Sequence, residues 1–170
     1  KTARSVVKND FIYTGVLLLG TNLGDKTLNI QRAITSIERF SAVLVISSSY
    51  ESEAWGYSSE ETYINVAVKI QFSIDPKDAM QICLEIEQEL GRTRSASGYS
   101  DRTIDIDFLC IDGYSSKSTH LTVPHPRLNQ RLFALLPLQE VYPDYRDQES
   151  GMVIQELVSE CQDLVRPTRL

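Results

Sequence analysis

The chain has 170 residues, of which 42% are hydrophobic and 24% charged, a composition typical of a globular domain and not of a disordered chain. Its 17 basic and 23 acidic residues give a net charge of −6, which excludes nucleic-acid binding through a bulk positive field. No stretch of the sequence approaches the roughly 18 apolar residues of a membrane span.

The termini and the cysteines predict a simple organisation. We interpret residues 1–12 as a polar lead-in without a targeting segment, and residues 13–170 as one domain. Cys83, Cys110 and Cys161 form no CxxC pair, so we expect three buried thiols and neither a disulfide framework nor a structural zinc site. We expect a cytoplasmic protein, a monomer or weak homodimer, with no nucleic-acid or membrane partner.

The first half of the chain predicts strand, helix, strand and strand. The helix begins after a turn whose last residue, Asp25, is a candidate N-cap. A loop with Trp55-Gly56 at its centre precedes a strand of clean alternation. The predicted strands cover 13–19, 43–50 and 63–72, and the apolar face of the helix covers 28–37.

The second half predicts helix, strand and two short helices. Asp75-Pro76 is typical of a helix start, and Gly91 of a helix end. A polar loop over 92–102 leads into a strand that begins at Ile104, and the last two helices are predicted over 131–141 and 152–161. The order βαββαβ predicts an α+β fold of the ferredoxin-like type, which by itself names no function.

Asp105 and Asp107 are the strongest chemical signal. Residues two apart in a strand point to the same face, so these carboxylates project side by side, and Ile104, Ile106 and Phe108 face the core. Adjacent carboxylates repel each other, and a divalent cation, Mg²⁺ by the preference for oxygen ligands, would relieve that repulsion. The alternative is a solvated strand face with two exposed aspartates.

Arginines are concentrated near this strand although the protein is acidic. Guanidinium groups bind phosphate oxygens bidentately and stay charged, so arginines around a carboxylate-held metal suit a polyphosphate. The alternative is that they form surface salt bridges. The arginines near this strand in the sequence are Arg92, Arg94, Arg102, Arg127 and Arg131.

Three other features of the sequence indicate function less strongly. The segment Gly20 to Thr27 lacks the spacing of a P-loop and places Asp25 where an anion would bind, so we interpret it as a strand-to-helix turn. His125, between two prolines, is interpreted as positioning a phosphate or a base. An amide at Asn65 could read the edge of a heterocycle, or be an ordinary strand-edge asparagine.

Five segments together resemble the 6-hydroxymethyl-7,8-dihydropterin pyrophosphokinase family of the folate pathway, from about Tyr13 to Cys161. The resemblance implies a three-layer α/β/α sandwich with a mostly antiparallel sheet. It also implies transfer of the β,γ-diphosphate of ATP to the pterin hydroxymethyl group, with release of AMP. The segments are Gly20 to Asp25, Tyr63 to Asn65, Leu90 to Arg94, Arg102 to Asp107 and Leu121 to Arg127.

The resemblance also implies roles for individual residues. Asp105 and Asp107 would hold two Mg²⁺ ions, and Arg92 and Arg102 would contact the phosphates as further catalytic residues. The other positions that match the nucleotide site are Glu87, Arg94, Thr122, His125 and Arg131, and those that match the pterin side are Trp55, Gly56, Tyr63, Asn65, Tyr99 and Phe133.

One segment departs from the family pattern. Tyr99-Ser100-Asp101 stands where the family usually has Trp-Gly-Pro, so Tyr99 would stack with less area and Asp101 would place a carboxylate near the phosphates. Two other functions stay open on the residues alone. One is a metal-dependent nucleotidyltransferase that attacks the α-phosphorus, and the other is a ferredoxin-like regulatory domain that binds a small ligand.

Overall fold

The computed structural model describes residues 11–93 and 98–170. Within them lie eight strands, four α-helices and a 3₁₀ turn at Leu128–Gln130. In chain order they are β1 (Tyr13–Thr21), α1 (Lys26–Ile37), β2 (Ser41–Ile46), β3 (Tyr50–Ser52), β4 (Tyr63–Phe72), α2 (Pro76–Glu89), β5 (Asp105–Ile111), β6 (Ser116–Lys117), β7 (Thr122–Val123), α3 (Leu132–Val141), α4 (Ile154–Glu160) and β8 (Thr168–Arg169).

The main sheet has the strand order β5-β1-β4-β3-β8, and β2 pairs with another part of the long strand β4. Every pairing recorded among these strands is antiparallel. The central strand β4 covers the predicted range 63–72, and β5 lies at one edge beside β1. The predicted ferredoxin-like α+β fold is confirmed.

The helices form two layers, one on each face of the sheet. Leu17, Leu19 and Ile106 belong to the face packed under α1 and α2, and Leu18 and Leu109 belong to the face packed under α3 and α4. Burial of both faces explains why β1 is apolar at nearly every position and does not alternate with polar residues. The three buried cysteines are free thiols, as predicted.

Both predicted helix starts are confirmed by capping hydrogen bonds. The Asp25 carboxylate accepts from the Leu28 N–H at 3.0 Å, and the Asp75 carboxylate accepts from the Lys77 N–H at 2.9 Å. The glycine-containing turn before Asp25 is therefore a strand-to-helix connection, as its sequence indicates.

The predicted strand over 43–50 is wrong as one element, because the structure divides it into β2 and β3. Hydrogen bonds to side chains interrupt the ladder between them: Ser47 Oγ accepts from the Ala67 N–H at 2.9 Å, and the Glu140 carboxylate accepts from the Ser48 backbone N–H at 2.7 Å. Such bonds compete with strand pairing. In the described part of the chain, no helix is long and apolar enough to cross a membrane.

Candidate active site

The floor of the candidate site is the end of β1. Gly20 pairs with Asn65 of β4 on one side and with Asp105 of β5 on the other. A Cβ on Gly20 would lie 2.9 Å from the Asn65 Oδ1 atom, closer than real Cβ contacts allow. The absent side chain therefore lets the Asn65 amide lie against β1, and Gly20, Asn65 and Asp105 line the same cavity.

The two aspartates share one face of β5, as the alternation predicted, and Ile104, Ile106 and Phe108 are buried in the core. Both aspartates line two adjoining cavities, one mainly aromatic and one rich in arginine. Because β5 is an edge strand, the Ile106 N–H lacks a strand partner on its outer side, and Glu87 of α2 accepts this bond at 2.8 Å.

The aromatic cavity brings together most residues predicted for the pterin side. Gly56, with a φ of 81°, is not among the lining residues, but a Cβ there would be 3.8 Å from the Tyr99 ring, which lines the cavity. Arg131 covers the Trp55 ring with its guanidinium carbon 4.5 Å from the centroid, and also lies over Phe133 at 5.5 Å. The predicted residues that line this cavity are Trp55, Tyr63, Asn65, Tyr99 and Phe133.

The arginine-rich cavity brings together most residues predicted for the nucleotide side, namely Glu87, Arg92, Arg102, Asp105, Asp107, His125 and Arg131. Thr122 lies in a neighbouring recess that also reaches Asp107 and His125. Arg94 lies outside the described residues.

Ion pairs in this cavity centre on Asp105. Arg92 Nη1 lies 2.7 Å from Asp105 Oδ1 and 2.7 Å from Glu87 Oε2, and Arg102 Nη1 lies 3.2 Å from Asp105 Oδ2. Two arginines from different segments thus meet one carboxylate of β5. The alternative of dispersed surface salt bridges does not describe these two residues, since their side chains are 15% and 10% exposed.

The carboxylates of the site are crowded. Loss of hydration, and then the charge of Asp105, raises the pKa of Glu87 to about 7. Loss of hydration, then Asp105 and Glu87, raises the pKa of Asp107 as well. A cluster that resists holding its full negative charge is one that a cation would stabilise, so Asp105 and Asp107 fit Mg²⁺ as a pair of oxygen ligands. Within the described ranges, no group of three or more His, Cys, Asp or Glu side chains is arranged to hold a metal ion.

The pKa values of the basic groups His125 and Arg131 are lowered, chiefly by burial. Burial, with Arg131 next in importance, lowers the pKa of His125 to about 4, so its ring is neutral at neutral pH. Its Nδ1 accepts from the Arg127 N–H at 3.1 Å, which leaves the other ring nitrogen to carry the proton. Within the described residues, Arg131 Nε is buried without a hydrogen-bond partner, so a donor is available in the site.

Some residues of the site were missed from the sequence or differ from expectation. Arg127 was counted only among the local arginines, yet its guanidinium donates to the Tyr99 hydroxyl. The Asp101 carboxylate was expected near the phosphates, but it binds residues on the aromatic side instead, including Tyr57. The lining of the aromatic cavity also includes Leu18, Ser52 and Tyr57, whose part no local motif signals, and Gly20 and Glu53, which were not named as site residues.

Comparisons with known proteins agree with this geometry. Residues 16–143 match the family described as 7,8-dihydro-6-hydroxymethylpterin-pyrophosphokinase. A 2-amino-4-hydroxy-6-hydroxymethyldihydropteridine pyrophosphokinase of Bacillus subtilis is 37% identical over 127 residues, which cover 74% of this chain and 75% of the relative. The Porphyromonas gingivalis protein of the same name is 39% identical over 131 residues, 75% of this chain and 89% of that one.

Solved structures support the fold. A Plasmodium falciparum HPPK-DHPS, crystallised with pterin and p-hydrobenzoate, aligns with a TM-score of 0.68 at 15% identity. The alignment covers 89% of this chain but 45% of that one, so this chain spans less than half of the solved two-part protein. The sequence matches together with this fold lead to one conclusion: the chain belongs to the 6-hydroxymethyl-7,8-dihydropterin pyrophosphokinase family, whose members transfer diphosphate from ATP in folate biosynthesis.

Proposed function

We propose that this chain carries out the reaction of its family at the junction of the two cavities, with the pterin in the aromatic one and the ATP phosphates in the arginine-rich one. The observation that carries the proposal is that Asp105 and Asp107 line both cavities. Groups bound on either side would meet at this carboxylate pair, and holding two reactants in contact is a major part of catalysis of phosphoryl transfer.

On the nucleotide side, Arg92 and Arg102 are proposed to bind the phosphates. In the described state both are paired with Asp105. A triphosphate offers these guanidiniums a second anionic partner, so its binding would free the Asp105 oxygens. Glu87 positions Arg92 through their 2.7 Å ion pair. The further nucleotide contacts proposed are Arg94, Thr122, His125 and Arg131.

On the pterin side, Asn65 is proposed to hydrogen-bond to the ring edge, because its amide lies against Gly20 and lines the aromatic cavity. The aromatic rings of Phe133 and Tyr99 and the Arg131–Trp55 stack supply flat surfaces for a planar heterocycle. Tyr63 and Gly56 complete the proposed contacts.

We propose that Asp105 and Asp107 are the residues that would hold two Mg²⁺ ions, because carboxylate oxygens are ligands that Mg²⁺ prefers. When bound, these ions would offset phosphate charge as it redistributes in the transfer. The chain's own residues supply orientation: the hydroxyl oxygen of the pterin bonds to the β-phosphorus, the bond from that phosphorus to the α-phosphate oxygen breaks, and AMP leaves. The hydroxyl proton passes to solvent water, and Arg92 and Arg102 stabilise charge on the transferred group.

Product analysis tests this function. We expect incubation with ATP, Mg²⁺ and 6-hydroxymethyl-7,8-dihydropterin to yield AMP and the pterin diphosphate in equal amounts. Release of inorganic pyrophosphate with a nucleotidylated pterin would instead indicate attack at the α-phosphorus. No Mg-dependent turnover would indicate a ligand-binding domain.

We further propose that residues 13–170 form one pyrophosphokinase domain that acts in the cytoplasm, with ATP and a pterin as its partners. The family match from residue 16 and the start of β1 at Tyr13 support the domain boundary. The use of ATP as a substrate supports the proposed cytoplasmic location. A monomer or weak homodimer is the proposed state, and sedimentation over a range of concentrations would test it.

A further inference from the structure

Asp101 joins three segments at the mouth of the aromatic cavity. Its Oδ1 atom accepts from Ser59 Oγ at 2.7 Å, from Asn22 Nδ2 at 2.8 Å and from the Tyr57 hydroxyl at 3.0 Å. Ser59 and Tyr57 belong to the loop between β3 and β4, and Asn22 belongs to the turn after β1. One carboxylate oxygen therefore connects the segment before β5 to two others that are distant in sequence.

One end of this connection is fixed to the sheet. Asn22 is fully buried. Its N–H donates to the Arg102 carbonyl at 3.1 Å, and its Oδ1 accepts from the Arg102 N–H at 2.7 Å. These two bonds tie the turn after β1 to the residue that follows Asp101, so the carboxylate projects from an anchored position.

The other end is a wall of the cavity. The Tyr57 hydroxyl lies 2.7 Å from the Tyr63 hydroxyl, and the Tyr57 ring stacks on Tyr99 with centroids 6.2 Å apart and planes 14° from parallel. All three tyrosines line the aromatic cavity. Trp55, two residues before Tyr57, lines it as well.

The Asp101 carboxylate carries a negative charge that strengthens these hydrogen bonds. Its bonds from Ser59 and Asn22 hold its pKa below the ordinary value, so the carboxylate is ionised at neutral pH. Hydrogen bonds to an ionised acceptor are roughly twice as strong as neutral ones. A side chain of similar size that lacks the charge would hold the same donors less firmly.

We propose that Asp101 is a positioning residue that clasps the loop between β3 and β4 to the segment before β5 and so assembles the aromatic wall before the pterin binds. It does not touch the reacting atoms. The inference rests on the proposed function only for the identity of the ligand, because the clasp itself is a property of the free protein.

Trp55 provides a direct test, since it is the one tryptophan of the sequence and lies in the clasped loop. We expect Asp101→Ala to increase the acrylamide quenching constant of Trp55 at least about twofold in the absence of ligand, and Asp101→Asn to restore much of the native value. Glu60→Ala, which removes an exposed carboxylate from the same loop, is the matched control and should leave quenching unchanged.

Binding measurements give the second readout. Asp101→Ala should weaken pterin affinity about 10-fold or more and change affinity for a nonhydrolysable ATP analogue less than about threefold. In turnover, the KM for the pterin should rise while kcat stays within a few-fold. Ser59→Ala should cause a smaller effect that vanishes when Asp101 is already alanine, as expected for partners in one contact.

The outcomes separate the two proposals. Unchanged Trp55 quenching and unchanged pterin affinity in a folded Asp101→Ala protein would overturn the clasp. Equal losses of pterin and nucleotide affinity would also overturn it, because they indicate a general structural role. If quenching rises as expected but the native protein binds no pterin, the clasp stands and the proposed ligand is wrong.

Discussion

Glu140 and Asp105 show how the same chemical group serves different purposes in two parts of the molecule. Glu140 of α3 accepts from the Ser48 N–H and hydroxyl at 2.7 and 2.8 Å, and from the Tyr50 hydroxyl at 2.7 Å. Its partners are neutral donors, and the Arg169 guanidinium lies 3.8 Å away. Asp105, in contrast, shares its surroundings with two more carboxylates and depends on two arginines.

The pKa values of Glu140 and Asp107 are shifted in opposite directions. Although partial burial opposes it, the hydrogen bonds from Tyr50 and Ser48 lower the pKa of Glu140, so its charge stabilises the fold. Burial and like charges raise the pKa of Asp107. A carboxylate satisfied by hydrogen-bond donors ties strands to a helix, whereas a crowded group of carboxylates would be stabilised by the cation that we propose for it.

Asp107→Ala is the largest expected effect and tests one side of the comparison. We expect AMP formation to fall roughly 10²-fold or more, because a group that offsets phosphate charge in the transfer is lost. The free energy of unfolding should be unchanged or higher, since one crowded carboxylate is removed. Glu140→Gln is the control and should keep activity within a few-fold. Near-normal turnover of Asp107→Ala with Mg²⁺ would contradict the metal assignment.

Asn65→Ala asks whether a neutral residue of the same site acts on one substrate alone. We expect pterin binding to weaken by about 1–3 kcal/mol, because the ring edge loses its hydrogen-bonding partner, with little change in nucleotide binding. Isothermal titration with the pterin and with a nonhydrolysable ATP analogue measures both. A greater loss of nucleotide affinity would refute the pocket assignment.

Glu140→Ala tests the other side of the comparison. We expect the free energy of unfolding to fall by about 1–3 kcal/mol, because the Ser48 and Tyr50 donors lose a charged acceptor. Chemical denaturation measures the change. Tyr50→Phe removes one of these bonds and should cost less. If Glu140→Ala were as stable as the native protein, the cluster would not be structural.

Gly20→Ala tests the close approach between β1 and the Asn65 amide. A Cβ at this position would lie 2.9 Å from Asn65 Oδ1, so the amide would have to move. We expect a several-fold loss of pterin affinity, smaller than that of Asn65→Ala, by the same titration. In an Asn65→Ala background the glycine change should have little further effect, and an undiminished effect there would contradict the close approach.

The pH dependence of stability is the smallest expected effect. A carboxyl group whose folded pKa is lowered stabilises the protein above its unfolded value, 4.5 for Glu140, and that stability is lost as the pH falls through the folded pKa. The difference in unfolding free energy between the native protein and Glu140→Gln should therefore be constant from pH 7 to about pH 5.5 and decrease below about pH 4.5. A difference that grows on acidification would contradict the assignment.

The sequence by itself determined most of the fold and the chemistry of the site. Alternation placed Asp105 and Asp107 on one face of a strand, because successive side chains of a strand point to opposite sides. Asp25 and Asp75 marked helix starts through bonds made within three residues. The motifs that resemble the family indicated the chain's membership in it. Each of these signals lies within a short run of residues, so it can be recognised in a single sequence.

Only the tertiary structure decided which distant residues meet. Antiparallel pairing set Gly20 between Asn65 and Asp105, and the fold brought the Asp101 carboxylate to Tyr57 and Ser59. Likewise, Glu140 drew Ser48 out of the strand ladder and ended β2 early. Such contacts join residues up to 92 positions apart, and their energy depends on packing and desolvation that no local pattern encodes.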